Sequence, residues 1–159
     1  MKKLIHLIIL SLMTILANAQ VITANSILEN YQNAIQNENS DFCYNVQMTD
    51  GRITTQYVYR KVGDNGTELR PSIQYQYEYD SADRLLSRTK LRWDNVSSKW
   101  ETDSRLEYSY DTDCFTVETR KWNQSKHLYD KPISKVAYQI LPDKSNGAGP
   151  IYVSLIKKR

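Results

Sequence analysis

Tyr77–Asp80 reads Tyr-Glu-Tyr-Asp, Tyr108–Asp111 returns it as Tyr-Ser-Tyr-Asp, and between them Leu85–Glu107 reads LLSRTKLRWDNVSSKWETDSRLE. The intervening stretch alternates. Leu85, Ser87, Thr89, Leu91 and Trp93 share one parity, and Arg84, Arg88, Lys90 and Arg92 the other. Successive side chains of a β-strand point to opposite faces, so this period of two marks a strand with two unlike sides. Asp94–Lys99 is a turn, after which Trp100, Thr102, Ser104, Leu106, Tyr108 and Tyr110 alternate with Glu101, Asp103, Arg105 and Glu107. Folding the chain about 94–99 sets Trp93 opposite Trp100, Arg92 opposite Glu101 and Lys90 opposite Asp103. Aromatic and opposite-charge cross-strand pairs each contribute about 0.2–1 kcal/mol, so the hairpin is supported pair by pair. Asp80 and Asp111 open the turns after each tyrosine pair, where a short carboxylate bonds the backbone of the bend.

The same grammar extends in both directions. Upstream, Phe42, Tyr44, Val46 and Met48 alternate with polar residues as far as the hairpin signal Asp50-Gly51. Ile53, Thr55, Tyr57 and Tyr59 follow, then the turn at 63–66, then Leu69, Ile73, Tyr75, Tyr77 and Tyr79. Pro71 lies within that last run and cannot donate to a ladder, which predicts a bulge or an unpaired edge. Downstream, a weaker copy of the hairpin matches Trp93 to Trp122 and Trp100 to Tyr129 at a spacing of 29, and Tyr108 to Tyr138 at 30. The slipped spacing predicts a bulge within Thr119–Trp122. Leu141–Pro150 reads as a loop and Ile151–Ile156 as a last strand. Ahead of the strands, Asn25 or Ser26 is placed to cap a helix reaching about Asn37. Ile27, Leu28, Tyr31, Ala34 and Ile35 lie on one side of it.

These elements specify an all-β domain over 42–159. It is an antiparallel meander of seven to eight strands, strongly twisted and rolled, preceded by one short N-terminal helical segment over 20–41. A closed eight-stranded barrel is the alternative. One face is expected to be aromatic and the other charged.

Residues 1–19 carry Lys2 and Lys3, an apolar run from Leu4 to Leu16, and the small-x-small sequence Ala17-Asn18-Ala19. That is the pattern of a secretory signal peptide cleaved after Ala19, with a run too short for a permanent membrane span. The expected location is therefore secreted or periplasmic, with no stable membrane span after cleavage. Removing Lys2 and Lys3 lowers Lys+Arg from 21 to 19 against 18 acids, a net charge of +1. The only basic run left, Lys157-Lys158-Arg159, is no concentrated basic face, so nucleic acid is not an expected partner.

Tyr57–Arg60, Asp64-Asn65-Gly66, Tyr77–Asp80, Arg84-Leu85, Trp93-Asp94-Asn95, Lys99-Trp100, Tyr108–Asp111 and Arg120–Asn123 together resemble a small secreted family. It is known as domain of unknown function 3836, from Gram-negative gut anaerobes. The resemblance runs from about Phe42 to the C-terminus. The Tyr-x-Tyr-Asp turns are also similar to the YD repeats of large extracellular β-shells. What the resemblance implies is an exported β-rich protein; it supplies no catalytic residues.

The chemistry must come from the residues themselves. Asp80, Asp83, Asp111 and Asp113 provide carboxylates of the kind a glycosidase pairs, but all sit at predicted turns, where Asp is common for backbone reasons. Asp111-Thr112-Asp113 lacks the further oxygen ligands of a calcium loop. Cys43 and Cys114 lack His or Cys neighbours at metal spacing, so no catalytic residue, metal site or cofactor is expected. The two cysteines fall on the first and fifth strands, about 19 Å apart across a flat sheet, so both are expected as free thiols. The positive feature is aromatic. Trp93, Trp100, Trp122 and Tyr129 fall at one end of the sheet, and Tyr77, Tyr79, Tyr108, Tyr110 and Tyr138 at the other. A tryptophan row beside turns suits stacking against a glycan or cell-surface polymer; the competing possibility is that these rings build the core. The expected function is thus an exported, non-catalytic binding or interaction protein, with a structural assembly subunit or a carboxylate-dependent hydrolase as alternatives.

Export gives the first test. The mature chain is expected to start at Gln20, and intact-mass and N-terminal analysis of native protein checks this. A retained 1–19 segment would overturn it.

Overall fold

The computed structural model describes residues 21–37, 40–63 and 66–140, together with the backbone of a strand at 153–158. The predicted signal peptide, its cleavage site and the predicted loop Leu141–Pro150 lie outside the described residues. Helix α1 (Ala24–Ile35) is capped by Thr23, ahead of both Asn25 and Ser26, the residues proposed from sequence. Thr23 wins because its bonds are reciprocal. Its hydroxyl accepts from Ser26 N at 3.3 Å, and Ser26 Oγ accepts from Thr23 N at 2.9 Å. No helix among the described residues is long and apolar enough to cross a membrane.

Nine strands follow among the described residues: β1 (Phe42–Thr49), β2 (Arg52–Val62), β3 (Glu68–Tyr79), β4 (Leu85–Asp94), β5 (Lys99–Tyr110), β6 (Cys114–Asn123), β7 (Leu128–Tyr129), β8 (Ser134–Ile140) and β9 (Val153–Lys158). All pairings are antiparallel, in the order β1-β2-β3-β4-β5-β6-β8-β9, with the two-residue β7 paired to β6. The meander is as expected, and it is open: β1 and β9 end the path without pairing to each other, so the barrel alternative falls. Asp50 and Gly51 both adopt positive φ, 51° and 76°, the geometry that lets a two-residue hairpin follow the strand twist.

Bulges decide which way the side chains face. Ile53 pairs with Met48 and Thr55 with Gln47, leaving Thr54 without a partner. On β4, Leu85 pairs with Tyr79 and Ser87 with Glu78, leaving Leu86. On β5, Thr102 pairs with Leu91 and Ser104 with Lys90, leaving Asp103. Each unpaired residue moves the rest of its strand to the opposite face. The expected register holds at Trp93–Trp100 and Arg92–Glu101 but is corrected at Lys90, which faces Ser104.

The single aromatic face expected from parity is therefore also corrected. Ile53, Tyr77, Leu85, Tyr108, Phe115, Val117 and Tyr138 form the buried core on one face, covered by Val21, Ile22 and the Ile27, Leu28 and Tyr31 side of α1. This is the helix face. Trp93, Trp100, Trp122, Tyr129 and Tyr57 register onto the other, outer face. Arg88, Lys90 and Arg92 register with Tyr77, Tyr75 and Ile73 and so share the helix face, with Arg88 bordering the core and Arg92 furthest from it.

Two further expectations meet the register. Pro71 does sit at a bulge: Tyr59 pairs with Pro71 and Val58 with Ile73, leaving Ser72. The slip in the last repeat lies elsewhere than Thr119–Trp122, whose pairing with β5 is regular up to Lys121. It lies between β7 and β8, where Asp130 N and Ile133 N bond Lys121 O and Thr119 O and the chain loops out through Lys131 and Pro132.

The repeated Tyr-x-Tyr-Asp now has a structural role. Asp80 Oδ1 accepts from Ala82 N and Arg84 N, both at 2.9 Å, closing the turn as expected. The second tyrosine of each repeat reaches back to a bulge. Tyr79 O–H donates to Ile53 O at 2.9 Å, and Tyr110 O–H to Leu85 O at 2.8 Å. Both acceptors belong to the residue just before an unpaired one, where the ladder is broken. Burial raises both phenols, Tyr79 to about 12, so both stay protonated donors beyond the pH at which an ordinary tyrosine ionises.

Tyr110→Phe and Tyr79→Phe should each cost about 1–3 kcal/mol, the penalty for a covered acceptor left without its donor. Denaturant unfolding checks this, and a loss under about 0.5 kcal/mol in both would remove the tyrosines from bulge support.

Candidate functional site

On the outer face, the turns place the aromatic rings. Asp94 accepts from Val96 N at 3.1 Å and Ser97 N at 2.9 Å, and Ser98 takes positive φ before β5 begins. One repeat later Asn123 accepts from Lys126 N at 3.1 Å, and His127 takes the positive φ. Each closed turn holds a pair of rings across its mouth. Trp93 and Trp100 meet edge-to-face with centroids 5.1 Å apart, and Trp122 and Tyr129 do so at 5.0 Å. The 29-residue repeat is thus a repeat of one side-chain geometry.

All four ring residues named from sequence share the outer face and the same end of the sheet. They form two pairs. Each of the four is half-buried, and none belongs to the core cluster. Tyr57 extends the first pair, with its ring 6.2 Å from Trp100. Their backbones lie three strands apart, about 14 Å on a flat sheet, so the rings lean together over β3 and β4. Gln74, which registers between Tyr57 and Leu91, is consequently covered, at 7% exposure. Sequence reasoning grouped Tyr57 with the core residue Ile53, because the Thr54 bulge that separates them leaves no local mark. A polar group borders the second pair, where Trp122 Nε1 donates to Gln124 Oε1 at 2.9 Å, while Asn123 Nδ2 donates to Asp130 at 3.1 Å on the helix face.

The other end of the outer face is a charge ladder. Arg105 Nη2 lies 2.6 Å from Glu78, Arg120 Nε 2.7 Å from Glu107, Arg120 Nη2 2.6 Å from Glu118, and Lys135 Nζ 2.8 Å from Glu118. Arg120 Nε touches Glu107 as an ion contact only, since its N–H finds no hydrogen-bond acceptor. Hydrogen bonds from Lys135 and Arg120 hold the Glu118 carboxyl below the usual carboxylate range. Three cations alternate with three anions, so the ladder is neutral.

Of the carboxylates weighed for catalysis, Asp80, Asp83 and Asp111 are engaged locally, in turn bonds or ion pairs. Asp80 pairs with Arg84 at 2.7 Å, Asp83 pairs with Arg52, and Asp111 accepts from Thr112 N at 2.8 Å. Cys43 and Cys114 are free thiols as expected, on β1 and β6 rather than on first and fifth strands. Among the described residues no three His, Cys, Asp or Glu side chains are grouped to hold a metal ion.

A family of unknown function, DUF3836, matches residues 1–140, the N-terminal segment included. The chain belongs to the DUF3836 family. Its fold is similar to a DUF3836 protein of Bacteroides vulgatus at 23% identity and a TM-score of 0.57, covering 62% of this chain and 98% of that one. A protein of unknown function from Bacteroides fragilis is similar at 22% identity and a TM-score of 0.51, covering 78% and 94%. A DUF3836 protein of Parabacteroides distasonis is similar at 21% identity and a TM-score of 0.50, covering 56% and 81%. At these identities the likeness is one of fold. No curated protein matches the chain.

In this DUF3836 chain the tryptophans and the core should respond differently to truncation. Phe115, 2% exposed, should cost about 3–5 kcal/mol on replacement by Ala. Trp93→Ala and Trp100→Ala should each cost less than Phe115→Ala, because part of each indole is already in water. Thermal and denaturant melts of the three variants check the order, and equal losses would return the tryptophans to the core.

Proposed function

We propose that the protein is an exported, non-catalytic binding protein that takes a glycan or cell-surface polymer against the aromatic end of its outer face. The observation that carries this is the partly exposed pairing of Trp93 with Trp100 and Trp122 with Tyr129, outside the core. A sugar ring offers a flat patch of C–H groups rimmed by hydroxyls. Indole and phenol rings match the patch, and an amide such as that of Gln124, bonded to Trp122 Nε1, matches the rim. Rings already fixed by edge-to-face contact lose little freedom when a ligand arrives. The signal-like segment 1–19 supports export to where such polymers are met.

One observation favours the rival, a subunit of a larger assembly. The edge strand β1, FCYNVQMT, carries neither charge nor proline, the usual devices that stop an edge from pairing with another chain. Hydrolysis has the least support, since Asp80, Asp83 and Asp111 are spent on turns and an ion pair.

A glycan array probed with the wild-type protein is expected to show retention of at least one polysaccharide class. Trp100→Ala and Trp122→Ala should each weaken it about tenfold or more, a loss of about 1.4 kcal/mol, with melting temperatures near wild type. Absence of glycan retention, combined with concentration-dependent sedimentation, would overturn the binding function in favour of assembly.

A further inference from the structure

The helix face carries a second charged zone, unlike the ladder on the outer face. Lys90, Ser104 and Lys121 stand in one register row across β4, β5 and β6. Arg88 and Arg92 flank Lys90 along β4, two residues away on either side and on the same face. By strand geometry, the four cations occupy a patch about 14 Å along the strand and about 10 Å across it. The unpaired Asp103 supplies the carboxylate at its centre, 3.1 Å from Arg92 Nε, 3.6 Å from Lys121 Nζ and 3.9 Å from Lys90 Nζ. Ser104 Oγ donates to the same carboxylate at 2.9 Å. Arg88 has no carboxylate partner among the described residues; its guanidinium lies 5.2 Å over the Tyr75 ring.

The charges do not balance. Arg88, Lys90, Arg92 and Lys121 face Asp103, the exposed Glu101 and Asp130, which lies across from Lys121, a local excess of one positive charge. Lys90 is also mostly covered, its side chain 18% exposed. Burial first, and then the neighbouring Arg92, push its ammonium pKa down. Crowding like charges and covering one of them costs stability, and a ligand of opposite sign recovers it. On the opposite face of the same strands, where Arg105 follows Ser104 and Arg120 precedes Lys121, the neutral ladder of Arg105, Arg120 and Lys135 with three glutamates shows the arrangement that stability alone favours. The centring of three cations on one carboxylate keeps their heads convergent, as needed to grip an oxyanion group.

We propose that Arg88, Lys90, Arg92 and Lys121 form an anion-binding site on the helix face for the sulfate or carboxylate groups of an acidic polysaccharide. The patch is compact, and the mature chain expected from the sequence has a net charge of only +1, which suits a short run of charged sugar units better than the long phosphate track of a nucleic acid. The site is independent of the aromatic pairs, which lie on the opposite face, and neither needs the other.

Titration with dextran sulfate, neutral dextran and duplex DNA at low and moderate salt tests the proposal. Wild-type protein should bind dextran sulfate in a salt-sensitive manner and leave neutral dextran unbound at this site. Lys121→Glu and Arg92→Glu, at exposed positions where folding is retained, should weaken that binding at least tenfold. Lys131→Glu, the same charge change on the looped-out segment, should alter it less than twofold, and Trp100→Ala should leave it unchanged. Circular dichroism and melting of each variant separate lost binding from lost folding. Equal weakening by Lys131→Glu and Lys121→Glu would reduce the effect to net charge and overturn the site. So would failure of the wild type to bind dextran sulfate, or binding of DNA as tight as that of the sulfated polymer.

Discussion

A β-strand tolerates no ambiguity about its faces: each residue points opposite to the last, and one unpaired residue reverses everything beyond it. Thr54, Leu86 and Asp103 are three such residues, and the distribution of chemistry over this sheet follows from them. Ile53 and Leu85, both fully buried, reach the core only because Thr54 and Leu86 turn them towards α1. Trp100 and Tyr108 share parity, yet Asp103 sends the first to the outer face and the second into the core.

A bulge breaks the ladder and leaves backbone polar groups without strand partners, so it persists only where something else satisfies them. Here the second tyrosine of each Tyr-x-Tyr-Asp unit supplies the missing bond, Tyr79 at Ile53 and Tyr110 at Leu85. The aspartate next to it closes the turn that brings the following strand into register. Bulge and tyrosine thus form one cooperative unit, used at successive hairpins, and at the first of them Asp80 adds the turn. The unit explains the repeat without any catalytic role for its carboxylates.

The bulges also divide each face into an apolar half and a charged half, placed diagonally across the sheet. The helix face has its tyrosine-rich core at one end and the Asp103 cation cluster at the other. The outer face has the paired indoles at one end and the neutral glutamate–arginine ladder at the other. Exposed ion pairs contribute little individually, about 0–1 kcal/mol, so the ladder matters chiefly as a network that shields one side of the sheet. The aromatic end and the cation cluster differ in kind from both stabilising halves: one leaves rings half in water, the other leaves charge uncompensated.

Much of this was legible in the residues. Period-two alternation, the Asp-Gly hairpin, the aspartate turns and the bulge at Pro71 are written in local chemistry, as are the free cysteines once the strands are ordered. The pairing of Trp93 with Trp100, and of Trp122 with Tyr129, followed from spacing alone. The assignment of faces did not. Parity put Ser87, Leu91 and Trp93 with Leu85, and Arg88, Lys90 and Arg92 on the side opposite the tyrosines, whereas the register reverses both. The helix cap likewise moved to Thr23, where the reciprocal bond with Ser26 outweighs either side chain alone. Alternation along one strand is a property of that strand and can be read from its residues. Which residue goes unpaired depends on two strands at once, and on whether a distant tyrosine can satisfy the break, so only the assembled sheet decides it.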